Sequence, residues 1–167
     1  AVQRQDDQVV FGSAQNLFLV KSVNGGLSFN NVRPDFVDDD RVAFSAPYEI
    51  APSDDNRMYA GTRYLYRSND AAQSWATTSS QSIDGTNFLV KIGISSLDPD
   101  IVYVATAPDP FLVGGSAKIL QSTDGGQTFI EMTGLPDRVC KDITLDPNDD
   151  QIVYLAFSGF GTDHAYK

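Results

Sequence analysis

Acidic and aromatic side chains recur together in four stretches of the chain, a pairing that suits carbohydrate chemistry. Asp35, Phe36, Asp38, Asp39 and Asp40 fall within residues 30–44, and Asp84 and Phe88 within 79–88. Asp109 and Phe111 fall within 107–116, and Phe160, Asp163, His164 and Tyr166 within 158–166. Rings stack on the C–H faces of sugars while carboxylates bond to their hydroxyls, so Asp35, Asp109, Phe111, Phe160 and His164 are the candidate ligand-binding residues. The plainer alternative is that these stretches are solvated connections with a few rings tucked beneath them. A glycosidase further requires two carboxylates roughly 5–10 Å apart, flanking the scissile bond. Many aspartates are available and no two are singled out as such a pair, so no catalytic residue is assigned.

Other chemistries are excluded or disfavoured by composition. His164 is the single histidine and Cys140 the single cysteine, which removes multi-histidine metal sites, histidine-dependent triads elsewhere in the chain and any intrachain disulfide. Asp38-Asp39-Asp40 and Asp149-Asp150 lack the spacing, glycine and terminal glutamate of a calcium loop and read as solvated turns. No metal and no cofactor is therefore expected. A formal charge of -10, from 22 acids against 12 bases, repels phosphate backbones and anionic lipid, so nucleic acid is not an expected partner. No apolar run reaches the roughly 18–20 residues of a membrane span. The Ala1-Val2-Gln3-Arg4 start, with neither an initiator methionine nor a signal core, looks processed or excised. Together these point to an extracellular, cell-surface or periplasmic setting without membrane insertion.

The elements that must position the acids and rings are short β-strands arranged as a repeat. Ser122-Thr123-Asp124-Gly125-Gly126-Gln127-Thr128-Phe129 has two degenerate copies upstream, Ser22-Val23-Asn24-Gly25-Gly26-Leu27-Ser28-Phe29 and Ser68-Asn69-Asp70-Ala71-Ala72-Gln73-Ser74-Trp75. Their opening serines lie 46 and 54 residues apart, near the period of a four-stranded propeller blade. Aligning Tyr59, Tyr103 and Tyr154 orders each unit as a strand before a proline turn, a strand around the tyrosine, a strand into the serine turn and one out of it. The expected tally is three, four, four and two strands. That makes 13 strands in about three and a quarter antiparallel blades, with helix essentially absent and approximate blade limits of 8–31, 46–78, 90–133 and 139–167.

On these turns the sequence resembles the Asp-box, or bacterial neuraminidase repeat, family. The third copy matches at every defined position; the first has Asn24 in place of the aspartate and the second Ala72 in place of the key glycine. The Asp-Pro turns and the Val-Tyr-x-Ala-Thr strand are similar to blades of xyloglucanase-type glycoside hydrolases, sortilin-type receptors and photosystem II assembly propellers. The resemblance implies an all-β partial propeller, residues 1–167 forming part of one domain. It also implies a structural role for Ser22, Asn24, Gly26, Phe29, Ser68, Asp70, Trp75, Ser122, Asp124, Gly126 and Phe129. In xyloglucanase-type enzymes one catalytic aspartate lies on the first strand of a blade; Lys141 occupies the nearest equivalent here, with Asp142 one place off. The Arg-Ile-Pro motif of sialidases is absent.

An antiparallel blade sends its proline turns and serine turns to one end, which leaves the four acid- and aromatic-bearing stretches at the other. Known propellers have 4–8 blades, so the expected partners are further blades from the same or another chain, together with a polysaccharide or protein ligand. Three functions follow: a non-catalytic extracellular scaffold or ligand-binding module, part of a xyloglucanase-like hydrolase whose catalytic carboxylates lie in other blades, and a self-assembling structural subunit.

Overall fold

A computed structural model describes residues 1–111, 114–161 and 163–167. The chain is all-β, in four antiparallel sheets. The first comprises β1 (Val10–Ala14), β2 (Phe18–Ser22) and β3 (Asn30–Asn31), in that order. The second comprises β4 (Tyr48–Ala51), β5 (Asp54–Gly61), β6 (Leu65–Ser68) and β7 (Ala76–Thr77). The third is β8 (Phe88–Ile94), β9 (Val102–Ala107), β10 (Ile119–Ser122) and β11 (Ile130–Glu131). The fourth is β12 (Cys140–Asp146), β13 (Asp149–Phe157) and β14 (Ala165–Tyr166). Among the described residues the helical content is one 3-10 turn, Gln15–Leu17.

One strand exceeds the expected thirteen-strand count, and one isolated bridge adds to the first sheet. Ala165 and Tyr166 pair with Ala156 and Leu155, so the fourth unit has three strands and not two. A two-residue strand has no periodicity from which to read it. At the other end, Val2 forms an antiparallel bridge to Val10, Phe11 donates its amide to Ala1 O at 2.7 Å, and Gln3 donates to Val9 O at 3.0 Å. Residues 1–3 therefore stand as a short inner partner of β1.

Burial follows the stacking of sheets. Every residue of β9 is buried, because that strand lies in the third sheet with a sheet on each side of it. Such a strand reads as a continuous apolar run. β13 alternates between buried Val153, Leu155 and Phe157 and their more exposed neighbours, since it has a neighbour on one side. The inner strands converge closely: a Cβ on Gly93 of β8 would lie 2.5 Å from Ile143 Cγ2 of β12, so only glycine fits there.

The three repeated turns share one hydrogen-bond set. Ser22 Oγ accepts from Gly26 N at 2.9 Å, Ser68 Oγ from Ala72 N at 2.9 Å and Ser122 Oγ from Gly126 N at 2.8 Å. Each serine hydroxyl also donates to the acid or amide two residues on, at 2.7–2.8 Å. In the second turn Ala71 and Ala72 adopt φ of 55° and 65°, the left-handed conformation taken elsewhere by Gly25, Gly26, Gly125 and Gly126. The hydrogen bonds hold alanine in a conformation that costs on the order of 1 kcal/mol per residue. Two of the three aromatics close their turns against the sheets, Trp75 donating Nε1 to Val32 O at 2.8 Å and Phe129 packing on the core between the second and third sheets, whereas Phe29 lies beside Gly26 and is half-exposed.

Candidate functional site

The strand order places the β3–β4, β7–β8, β9–β10, β11–β12 and β13–β14 connections at one end of the sheets, opposite the serine turns. Residues 112, 113 and 162 of these loops lie outside the described residues. Three aspartates at this end are drawn inward. Asp40, with its side chain fully buried, accepts from Thr62 Oγ1 at 2.5 Å and Tyr66 OH at 3.0 Å, and lies 3.6 Å from Arg63 Nε. Asp84 accepts from Thr106 Oγ1 and Asn87 Nδ2 at 2.7 Å each and pairs with Lys118 Nζ at 3.0 Å. The Asp84 hydrogen bond and charge raise the Lys118 pKa. Burial likewise pushes the Tyr66 hydroxyl up, and Asp40 reinforces this.

Asp40 and Asp84 therefore perform the same task in successive units: each ties the loop before an inner strand to the threonine that ends the second strand. Both pairs are 22 residues apart, and both threonines lie three residues after the aligned tyrosine. That repeated spacing is a sequence signal for two residues, Thr62 and Thr106, that the acid-and-ring pattern alone misses.

Asp109 is the third inward aspartate. Its buried carboxylate lies 2.6 Å from the Arg41 guanidinium, which reaches across from the β3–β4 loop and sits 6.0 Å from the centre of the Phe88 ring. Asp109 Oδ1 also accepts the Phe111 amide at 2.9 Å. These contacts hold the Asp109 side chain, while the Phe111 ring two residues on is exposed. Phe111 is 83% and Phe160 94% exposed. Arg138, from the β11–β12 connection, donates its side chain to Phe160 O at 2.6 Å, and Phe157 at the end of β13 donates its amide to O of the exposed His164 at 2.8 Å. Asp35 is exposed beside Phe36, whose ring lies 5.8 Å from that of Tyr66 and carries the Arg33 guanidinium at 4.5 Å. Of the five candidate ligand-binding residues, Asp35, Phe111, Phe160 and His164 thus face solvent, while the carboxylate of Asp109 is taken up by Arg41.

A concavity of about 420 Å³ lies between the inner strands β4, β8 and β12, lined by Arg4, Glu49, Ile92, Asp142, Ile143 and Leu145 among others. Burial pushes the Glu49 carboxyl up; Lys91 opposes the shift and Asp142 reinforces it. Lys91 Nζ lies 3.4 Å from Asp142, so Asp142 is partnered by a cation. Lys141, its neighbour on β12, is exposed. Among the described residues no group of three or more histidine, cysteine, aspartate or glutamate side chains could hold a metal ion. Asp149 and Asp150 open β13. No helix among the described residues is long and apolar enough to cross a membrane. Cys140 is buried and reduced, its thiol pushed up by burial.

No family model and no curated protein sequence matches this chain. Solved structures do. A GH74 xyloglucanase from Xanthomonas campestris aligns over 94% of this chain and 26% of its own, with a TM-score of 0.72 at 19% identity. A GH74 enzyme from Niastella koreensis aligns over 93% of this chain and 24% of its own, with a TM-score of 0.69 at 19% identity. YCF48 bound to D1 peptide aligns over 93% of this chain and 50% of its own, with a TM-score of 0.55 at 12% identity. At these identities the likeness is one of fold. The chain spans about a quarter of the length of the two GH74 enzymes.

Proposed function

We propose that this chain is a four-sheet section of an Asp-box β-propeller of the xyloglucanase-type glycoside hydrolase kind, and that its loop end binds a β-glucan chain. The observation that carries the proposal is the alignment of nearly the whole chain on a GH74 xyloglucanase. The loop end supports the binding role: Phe111 and Phe160 offer exposed rings, and Asp35 and His164 offer exposed polar groups. Asp40, Asp84 and Asp109 are engaged by threonine, tyrosine, arginine or lysine partners and act as braces for these loops. In this reading the section contributes the glycan surface, and the bond-breaking carboxylates sit on other sheets. The serine turns act as fastenings at the far end, in keeping with the structural part expected of Asp124 and its counterparts.

Affinity gel electrophoresis of the chain in xyloglucan, mixed-linkage β-glucan and mannan tests this. Retardation by the β-glucans and not by mannan is expected, diminished in Phe111→Ala and Phe160→Ala. Unchanged mobility in all three gels overturns the proposal.

A further inference from the structure

The three serine turns share a further tie. In each, the residue after the acid or amide position donates its main-chain N–H to a carbonyl at or just before the start of β1, β5 or β9: Gly25 N to Gln8 O, Ala71 N to Asn56 O and Gly125 N to Asp100 O, all at 2.9 Å. In the first turn the tied amide belongs to Asn24-Gly25, the single Asn-Gly pair of the sequence. Such a pair is chemically labile, because glycine has no Cβ to keep its nitrogen away from the preceding side-chain carbonyl.

The reaction consumes only water. Gly25 N bonds to Asn24 Cγ, the Cγ–Nδ2 bond breaks, and ammonia leaves with the former Gly25 amide proton, closing a five-membered imide. Water then adds at the side-chain carbonyl carbon to give aspartate, or at the main-chain carbonyl carbon to give isoaspartate, whose backbone runs through the extra methylene. Asparagine and water become an acid and ammonia, with no change in oxidation state.

The folded turn opposes the first step at both reacting groups. Gln8 O holds the Gly25 amide, which must be released before its nitrogen can attack. The Asn24 side chain is held at both ends: Oδ1 accepts from Ser22 Oγ at 2.8 Å and Ser28 N at 3.0 Å, and Nδ2 donates to Ser28 Oγ at 2.8 Å. Asn24 and Gly25 are both exposed, so water reaches them and the protection comes from these bonds, not from burial.

The turn also discriminates between the two products. Asp70 and Asp124 show how an aspartate sits there: one oxygen takes the opening serine hydroxyl at 2.7–2.8 Å and the other takes the Ser74 or Thr128 hydroxyl at 2.6 Å. An aspartate at position 24 finds the same two donors in Ser22 and Ser28. Isoaspartate lengthens the main chain between Ser22 and Gly26, whose 2.9 Å bond closes the turn.

We infer that Asn24 is a hydrolytic modification site gated by the fold. The closed turn keeps it asparagine; opening of the turn converts it to aspartate, which the turn readmits, or to isoaspartate, which it does not. This stands apart from glycan binding, since the serine turns lie at the end opposite the loops.

Peptide mapping by mass spectrometry tests it, with the full chain incubated in mildly alkaline buffer either folded or in denaturing urea. Conversion at Asn24 is at least ~10-fold slower in the folded chain, in proportion to the fraction of time the turn is open. Ser28→Ala, shown to be folded by circular dichroism, removes the acceptor of Nδ2 and speeds conversion roughly 5-fold, as loss of one net hydrogen bond does. Asn24→Asp is at least as stable in urea as the wild-type chain at neutral pH. Equal rates in the folded and unfolded chains, a folded Ser28→Ala chain that converts no faster than wild type, or an Asn24→Asp chain less stable than wild type would each overturn the inference.

Discussion

Replacing Asp124 by alanine removes the acceptor at the centre of the third serine turn. The carboxylate takes the amides of Gln127 and Thr128 at 2.9 Å each, the Ser122 hydroxyl at 2.7 Å and the Thr128 hydroxyl at 2.6 Å. Hydrogen bonds to a charged acceptor contribute roughly 1.5–3 kcal/mol each, but donors near the surface regain water when the acceptor goes. The loss is about 2–4 kcal/mol and not the full sum. The titration of the group agrees in size. Partial burial pushes this carboxyl up, yet the bonds from Thr128, Ser122 and Gln127 outweigh it and hold the pKa at about 2 against an ordinary 3.8. At ~1.4 kcal/mol per unit, that is about 2 kcal/mol before discounting for solvent screening.

Asp124→Asn behaves differently, because the first turn already uses an asparagine. Asn24 Oδ1 accepts from Ser22 Oγ at 2.8 Å and Ser28 N at 3.0 Å, and its Nδ2 donates to Ser28 Oγ at 2.8 Å. The Thr128 hydroxyl can turn from donor to acceptor in the same way, so this variant costs under about 1 kcal/mol at neutral pH. Asp70, held at about 2 chiefly by the Ser74 hydroxyl and amide, shares the pH dependence of Asp124. With folded values depressed, both groups stabilise the native state fully above the ordinary 3.8 and lose that contribution as pH falls toward about 2. Urea denaturation over this range measures it: the wild-type chain loses stability from both groups, about 1–2 kcal/mol in all once solvent screening is allowed for, and Asp124→Asn about half of that. The reasoning is refuted if Asp124→Asn is as damaging as Asp124→Ala, or if wild-type stability stays flat through the window.

Two further stability predictions rest on single side chains. Arg41→Ala strands the buried Asp109 carboxylate and costs about 2–4 kcal/mol in urea denaturation at neutral pH, at or below the cost of breaking a fully buried pair because Arg41 is half-exposed; a loss under about 0.5 kcal/mol contradicts the bracing role. Glu49→Gln stabilises the chain at neutral pH, since a carboxyl with a raised folded pKa favours the native state below its ordinary 4.5 and disfavours it once ionised. The gap between variant and wild type closes as pH falls below about 4.5, and a Glu49→Gln chain less stable than wild type at neutral pH would show that Lys91 outweighs burial.

The repeat was legible because its marks are local. Ser22, Ser68 and Ser122 open turns whose bonds are all made within a few residues, and Tyr59, Tyr103 and Tyr154 each lie on the second strand of a sheet. What depends on distant pairing was not. Ala165 and Tyr166 become a strand only because β13 offers an edge, and residues 1–3 have no pattern apart from the strand they meet. At the loop end, residue types identified exposed Phe111 and Phe160 but could not show that Asp109 would be buried beneath Arg41, a partner 68 positions away in an irregular loop. Asp40 and Asp84 were visible as acids, yet their role appears only once Thr62 and Thr106 are brought beside them.

The most direct test of the account is isothermal titration of the chain with a soluble xyloglucan oligosaccharide, repeated for Phe111→Ala, Phe160→Ala and the double variant. Saturable binding by the wild-type chain is expected, weakened ~10-fold by each substitution, as truncating an anchor side chain does. It should be lost in the double variant while urea stability is unchanged. Absence of binding by the wild-type chain, or binding indifferent to both rings, contradicts the placement of a glycan surface at the loop end.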